Sequence, residues 1–100
     1  MNFNERVWQL LSRIPRGKVT TYKIIAHKLG TRAYRAVGMA CARNPNAPKV
    51  PCHRVVNSNG EVGNYSGNGG VKRKTLLLQK EGISINDNIV QNYEKVLYKF

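Results

Sequence analysis

The sequence has few acidic residues, few cysteines and no long apolar run, and each shortage excludes a class of protein. Only five of the 100 residues are Asp or Glu and only two are Cys. Two cysteines cannot build the disulfide framework of a small secreted domain. No apolar run approaches the roughly 20 residues that span a bilayer, and the N-terminus lacks the apolar stretch of a secretory signal. We expect an intracellular protein without membrane contact, in the cytoplasm, the nucleoid or a eukaryotic nucleus.

The sequence also lacks metal-binding spacing. Its cysteines, Cys41 and Cys52, and its histidines, His27 and His53, form no CxxC or HxxxH pattern, so we expect no metal site. An apolar fraction of 41% is enough for folding, and 100 residues suffice for one hydrophobic core but not for two domains. We therefore predict a single domain over residues 1–100.

Positive charge is in large excess. Seventeen Lys and Arg residues give a net charge of +12, of which residues 1–54 carry +10. This uneven distribution of positive charge favours a polyanionic partner, because a nucleic acid releases counterions when it binds. A highly soluble domain with scattered lysines, or a ribosomal or architectural protein, has similar composition.

Apolar periodicity predicts a mainly α fold with about four to five helices. Helical patterns cover 3–14, 22–29, 32–43 and 71–81, and a last helix is indicated between Ile89 and Phe100. The second and third helices, joined by a short turn at Gly30, have the outline of a helix-turn-helix of the winged-helix type. The segment 55–62 predicts a short β-hairpin or an extended stretch.

The third predicted helix has two different faces. Small apolar side chains suited to packing form one face, and the other is basic with little bulk; the latter comprises Arg32, Arg35, Ala36, Met39 and Arg43. A nucleic-acid groove could approach the basic face closely. An arginine-rich face that is merely solvated is the alternative.

A candidate reactive centre follows the proline-rich loop 44–51. Cys52 and His53 are adjacent, and a neighbouring base or cation favours the nucleophilic thiolate. Adjacent side chains of an extended chain point apart, so His53 needs a bend or a bridging water to reach the sulfur. Glu81, near a helix end, is the candidate carboxylate that orients the imidazole. By spacing alone, a structural cysteine is the more frequent explanation.

A longer series of motifs resembles the O6-alkylguanine-DNA alkyltransferases, also called methylated-DNA–protein-cysteine methyltransferases. The resemblance covers residues 3–85 and is to the C-terminal active-site domain of that family. Its motifs are Pro51-Cys52-His53-Arg54-Val55, Ile14-Pro15-Arg16-Gly17-Lys18-Val19, Thr21-Tyr22, Arg35-Ala36-Val37-Gly38, Asn44-Pro45, Gly63-Asn64-Tyr65-Ser66-Gly67, Leu76-Leu77 and Glu81-Gly82.

The resemblance implies direct repair of O6-alkylguanine. Cys52 would accept the alkyl group irreversibly, so each molecule would react once, without a cofactor. His53 would be the base, acting through a water, and Glu81 would orient it. Tyr22 would hydrogen-bond the extruded guanine and help to protonate its N3.

The resemblance also implies binding of double-stranded DNA through the minor groove. We expect a monomer, since nothing in the sequence suggests an obligate interface. Arg35 would replace the extruded base in the stack, and Ala36 and Gly38 would permit close approach. The remaining implied contacts are base cover by Tyr65, the Ser66 amide at O6, the backbone carbonyls of Cys52 and Val55 at the exocyclic amine, and bracing of the active-site loop by Asn44.

Three departures and two alternatives accompany the resemblance. The family commonly has an additional N-terminal domain, zinc-bearing in some relatives, which we do not expect here; the loop after Tyr65 is slightly long; and residues 86–100 have no implied role. The first alternative is an alkyltransferase-like sensor that recruits other repair factors, but such proteins resemble the family with Trp in place of the nucleophile. The second is a plain helix-turn-helix regulator, which gives no reason for the motif around Cys52.

Overall fold

Five α-helices and four two-residue strands make up the computed structural model, which describes residues 1–65 and 69–100. The elements are α1 (Phe3–Leu11), β1 (Thr20–Thr21), α2 (Tyr22–Lys28), α3 (Tyr34–Ala42), a 3₁₀ turn (Cys52–Arg54), β2 (Val55–Val56), α4 (Gly70–Lys80), β3 (Ile85–Asn86), β4 (Ile89–Val90) and α5 (Tyr93–Val96). The predicted mainly α class and the number of helices are confirmed. Among the described helices, none is long and apolar enough to cross a membrane.

Helix α1 begins with a capping box. The Asn2 side chain accepts a hydrogen bond from the Glu5 amide at 2.8 Å, and the Asn2 amide donates to the Glu5 carboxylate at 3.1 Å. These bonds satisfy two amides that lack intrahelical partners. The helix ends at Leu11, before the predicted end at Ile14, although Ile14 is still buried. The apolar pattern therefore continues past the helix into the turn that follows it.

Helices α2 and α3 form the predicted helix-turn-helix. Thr21 caps α2 by accepting a hydrogen bond from the Ile24 amide at 3.0 Å. Helix α3 begins at Tyr34 rather than Arg32, because the Thr31 hydroxyl accepts from the Ala33 amide and stabilises the turn before the helix. Both α1 and α2 pack against α3.

The predicted hairpin over 55–62 is wrong, and the extended alternative is right for its first residues. Strand β2 pairs in parallel with β1, in the register Thr20 to Val55. The amide of Val62 donates to Asn88 at 2.8 Å, so this valine pairs with the C-terminal segment and not with β2. The short hairpin of the molecule is β3–β4 instead.

The C-terminal segment is only briefly helical. Of the predicted last helix, Tyr93–Val96 forms α5, whereas Ile89 lies in β4. The Val19 amide donates to the Val96 carbonyl at 2.9 Å, which ties this segment to the chain before α2.

The apolar side chains form two clusters, where we expected one core. The first joins α1, α2 and α3 with Cys52 and Val55, and the second comprises Val19, Val56, Val62, Leu78, Ile83 and Val90.

Candidate functional site

Cys52 lies at the start of a 3₁₀ turn and borders a large cavity. The turn Cys52–Arg54 supplies the bend that an extended chain would lack. Cys52 is 5% exposed and lines a cavity of about 910 Å³. That volume is within the range of pockets that hold small organic ligands. The sulfur is thus shielded from bulk solvent but faces a space large enough for a purine.

The two residues after Cys52 converge on one carboxylate. His53 Nε2 lies 2.8 Å from Glu81 Oε2. The Arg54 guanidinium donates to both carboxylate oxygens of Glu81, with each nitrogen–oxygen distance 2.9 Å. Arg54 also donates to the Ile14 carbonyl at 2.7 Å. The carboxylate at the end of α4 is therefore held by a two-point contact, and the imidazole orientation is fixed in turn.

Burial and hydrogen bonding set the charge states of this group. Burial lowers the pKa of His53, although the hydrogen bond to Glu81 acts in the opposite direction. Burial would raise the pKa of Glu81, but hydrogen bonds from Arg54 and His53 outweigh it and lower that pKa. A neutral imidazole that donates from Nε2 to a carboxylate has its other nitrogen, Nδ1, free to accept. Nδ1 is buried, without a hydrogen-bond partner among residues 1–65 and 69–100.

Two aromatic side chains border the same cavity as Cys52. Tyr22, at the start of α2, and Tyr65, after the loop 57–64, both line it. Burial, followed by the nearby cysteines, raises the pKa of Tyr22, and burial likewise raises that of Tyr65. Both phenols therefore keep their protons at neutral pH and can donate hydrogen bonds into the cavity.

The basic face of α3 forms another border of the cavity. Arg35 and Gly38 line it. Arg32, Arg35 and Arg43 are exposed, whereas Ala36 is only half-buried. A Cβ atom built on Gly38 would meet nothing within 4 Å, so this position is open to an approaching group. Among the described residues, the only ion pair between charged side chains joins Arg54 to Glu81, and the neutral imidazole of His53 shares that carboxylate.

Asn44 and Val55, two further predicted site residues, lie near the turn that carries Cys52. The Asn44 side chain donates to the Val50 carbonyl at 2.7 Å and accepts from the Asn46 amide at 3.0 Å, which closes the loop before the turn. Val55 is fully buried in β2. Ser66 lies outside the described residues.

Two residues at the site were missed by sequence reasoning. Arg54 belongs to the motif around Cys52, but its contact with Glu81 forms only because the fold places the end of α4 next to the 3₁₀ turn. Lys74 is 0% exposed, and its ammonium donates to the Asn64 carbonyl at 3.1 Å. Only its position in the helix indicates that Lys74 is buried, because it lies three residues after Val71 and four before Leu78, on the apolar stripe of α4.

Within residues 1–65 and 69–100, no group of three or more His, Cys, Asp or Glu side chains lies close enough together to hold a metal ion.

The sequence of this chain matches one known protein family. Residues 2–83 match the family described as "6-O-methylguanine DNA methyltransferase, DNA binding domain". The chain belongs to this family. The match agrees with the resemblance drawn from the motifs over residues 3–85.

Relatives of this chain include proteins named methylated-DNA–protein-cysteine methyltransferase. A methylated-DNA–protein-cysteine methyltransferase of Saccharolobus islandicus is 52% identical over 83 residues, which are 83% of this chain and 52% of that protein. The chain thus spans about half the length of the curated relatives it matches.

Two solved structures in complex with DNA are similar to this fold. Mycobacterium tuberculosis OGT bound to DNA has a TM-score of 0.75 and 44% identity, covering 81% of this chain and 50% of that one. S. pombe Atl1 bound to damaged DNA containing O6-carboxymethylguanine has a TM-score of 0.85 and 31% identity, covering 98% and 95% of the two chains. The second likeness includes the C-terminal segment that the family match leaves out.

Proposed function

We propose that this protein repairs O6-alkylguanine in double-stranded DNA by moving the alkyl group to the sulfur of Cys52. The observation that carries the proposal is one cavity bordered by Cys52, Tyr22 and Tyr65, with the buried His53–Glu81 pair directly behind the cysteine. A nucleophile, a base held by a carboxylate, and aromatic walls are what transfer from a purine requires.

The first step is formation of the thiolate. His53 Nδ1 accepts the Cys52 proton through a bridging water, and the Glu81 carboxylate stabilises the resulting imidazolium. The 2.8 Å contact between Nε2 and the carboxylate supports this role, because a fixed tautomer leaves Nδ1 as the acceptor. Arg54 keeps Glu81 ionised and in place.

The second step is a displacement at carbon. The thiolate attacks the alkyl carbon, the new carbon–sulfur bond forms as the carbon–O6 bond breaks, and the electron pair of that bond passes to the purine. Tyr22 donates a hydrogen bond to N3 and helps to return a proton to the departing guanine. The raised pKa of Tyr22 supports this role, since the phenol holds its proton until the purine becomes more basic. The product is a stable thioether, so the reaction occurs once per molecule and needs no cofactor.

Access to O6 requires the base to leave the helical stack, which costs a few kcal/mol. Arg35, exposed beside the cavity mouth, fills the space left in the duplex, as inserted side chains do in other minor-groove proteins. Ala36 and the open position at Gly38 let the backbone of α3 approach the groove. Tyr65 covers the face of the extruded base.

Further contacts select guanine and hold the site together. The backbone carbonyls of Cys52 and Val55 accept from the exocyclic amine, and the Ser66 amide meets O6. Asn44 braces the loop that carries the nucleophile, as its bonds to Val50 and Asn46 support. The protein acts as a monomer, and the excess of cations on residues 1–54 supplies the contacts to phosphates.

A second candidate function is binding of damaged DNA without transfer, followed by recruitment of other repair factors. The observation that favours it is the match to S. pombe Atl1 over 98% of this chain. Cys52 favours transfer, since the alkyltransferase-like sensors resemble the family with Trp at that position.

The test measures loss of the methyl group from the DNA. A duplex oligonucleotide with a single O6-methylguanine is incubated with increasing amounts of protein, and its mass is recorded. We expect one unmodified guanine to be restored for each protein molecule added, and no second turnover. Tight binding of the duplex with the methyl group still in place would reject transfer in favour of the sensor.

A further inference from the structure

Lys74 is a buried cation that the proposed reaction does not use. Its side chain is 0% exposed, although ammonium groups are strongly hydrated and costly to bury. Its Nζ donates to the Asn64 carbonyl at 3.1 Å. Among residues 1–65 and 69–100, no ion pair joins it to a carboxylate. A charge in this position needs a compensating partner.

The groups around Lys74 belong to the cavity wall. Its Nζ lies 6.0 Å from the ring centroid of Tyr22 on α2. Negative charge on Cys41 of α3 or on Cys52 of the 3₁₀ turn interacts favourably with it, and the ammonium also acts on His53. The backbone of Asn64, which Lys74 holds, immediately precedes Tyr65. Lys74 therefore links the loop carrying Tyr65 to the wall that contains both sulfurs.

Three of these neighbours are uncharged at neutral pH. Burial raises the pKa of Cys41 to about 12 and also raises that of Tyr22, so both remain protonated. His53 has a lowered pKa and is neutral. Cys52, which lines the cavity and is the nucleophile of the proposed reaction, is the neighbour whose negative charge Lys74 can stabilise.

We propose that Lys74 is a positioning residue whose buried ammonium is the resident counter-charge of the Cys52 thiolate. The inference rests on the proposed function, in which that thiolate is the nucleophile. Burial lowers the pKa of Lys74 to about 8, so the group is still mostly charged at pH 7. His53 removes the proton, and Lys74 stabilises the charge that the sulfur then carries.

The first experiment measures thiol reactivity without DNA. Alkylation of Cys52 by iodoacetamide is followed from pH 5 to pH 9 by quantifying the Cys52 peptide, in the wild type and in Lys74→Met. We expect the midpoint of the pH profile to rise by about one unit or more, as for loss of a nearby opposite charge. At pH values below the wild-type midpoint, the rate is then expected to fall by up to about tenfold. An unchanged midpoint in Lys74→Met would overturn the proposal.

Two further variants separate charge from packing. Lys72→Met makes the same substitution at an exposed position of α4, and we expect it to keep the wild-type midpoint. Lys74→Arg retains the charge and is expected to keep the midpoint near that of the wild type. An Arg variant whose midpoint is as high as that of the Met variant would contradict a role for the charge.

A reciprocal measurement needs no substitution at position 74. The Lys74 side chain is titrated by NMR in protein with ¹³C-labelled lysine, before and after methyl methanethiosulfonate converts Cys52 to a neutral methyl disulfide. Linkage requires the Lys74 midpoint to fall when the thiolate charge is removed. The same midpoint in both forms would reject the proposal. Neither experiment uses alkylated DNA, so failure of Lys74 is distinguishable from failure of the transfer reaction.

Discussion

The exposed face of α3 and the buried group behind Cys52 use charge in opposite ways. Arg35 on α3 has an exposed cation, and so do Arg32 and Arg43, which flank the helix. Behind Cys52, the charges of Arg54 and Glu81 are joined by two hydrogen bonds of 2.9 Å each and are largely hidden from solvent. Exposed charges are screened by salt and act at a distance, whereas buried charges act through fixed contacts. The first region is suited to attracting a polyanion, and the second to holding one imidazole in one orientation.

This contrast predicts that a change in each region damages a different property. Loss of a buried partner should impair both chemistry and folding, because it leaves a charge unpaired. Loss of an exposed cation should impair DNA binding and leave the fold intact.

Glu81→Gln is expected to have the largest effect. It leaves the buried Arg54 guanidinium without its carboxylate, and breaking a buried pair costs about 3–5 kcal/mol of unfolding free energy. Transfer should slow by about 100-fold, since the imidazolium loses its stabilising charge. Urea unfolding and single-turnover kinetics measure the two effects. The exposed Glu94→Gln is the matched control, and equal behaviour of the two variants would show that the contact with His53 is unimportant.

Arg35→Ala is expected to have an intermediate effect that is confined to duplex DNA. Without a side chain to replace the extruded base, repair of a duplex should slow about tenfold or more. Reaction with a free O6-alkylguanine base should be unchanged, because no duplex has to be opened. Arg6→Ala, an exposed substitution on α1, controls for loss of one positive charge. Equal loss with free base and duplex would place Arg35 in the chemistry rather than in base extrusion.

Acidification is expected to have the smallest effect, and it acts only on the buried region. The pKa of His53 is lowered from 6.5 and that of Glu81 from 4.5, so the unfolded chain binds these protons more readily than the folded one. The unfolding free energy should therefore fall below pH 6.5, and again below pH 4.5, by about 1 kcal/mol for each unit of pKa difference. Urea unfolding at pH 7, 5.5 and 4 measures it. A free energy that stays constant down to pH 4 would contradict a neutral, buried His53.

Local patterns in the sequence were sufficient to predict the exposed region. The helical spacing of Val37, Ala40 and Cys41 on one face fixes the other face of α3 as the basic one, and Thr21 has the residue type of a helix cap. The prediction erred by two residues at the start of α3, where the Thr31 hydroxyl stabilises the turn before the helix.

The buried region depended more on contacts between distant residues. The strings around Cys52 and Glu81 indicated the participants, but the two-point contact with Arg54 joins residues 27 positions apart. Val62 has the pattern of a hairpin strand, yet its partner is Asn88. Lysine is usually a surface residue, and only the position of Lys74 on the apolar stripe of α4 indicates that it is buried. Rules based on neighbouring residues in the sequence do not predict such long-range contacts.

We propose Cys52 as the alkyl acceptor, and the site of the methyl group in the reacted protein tests this proposal. After reaction with a duplex containing O6-methylguanine, the protein is digested and the Cys52 and Cys41 peptides are compared by mass spectrometry. We expect one added methyl group on Cys52 and none on Cys41, whose raised pKa keeps its thiol protonated. An unmodified Cys52 peptide, or methyl on Cys41, would contradict it.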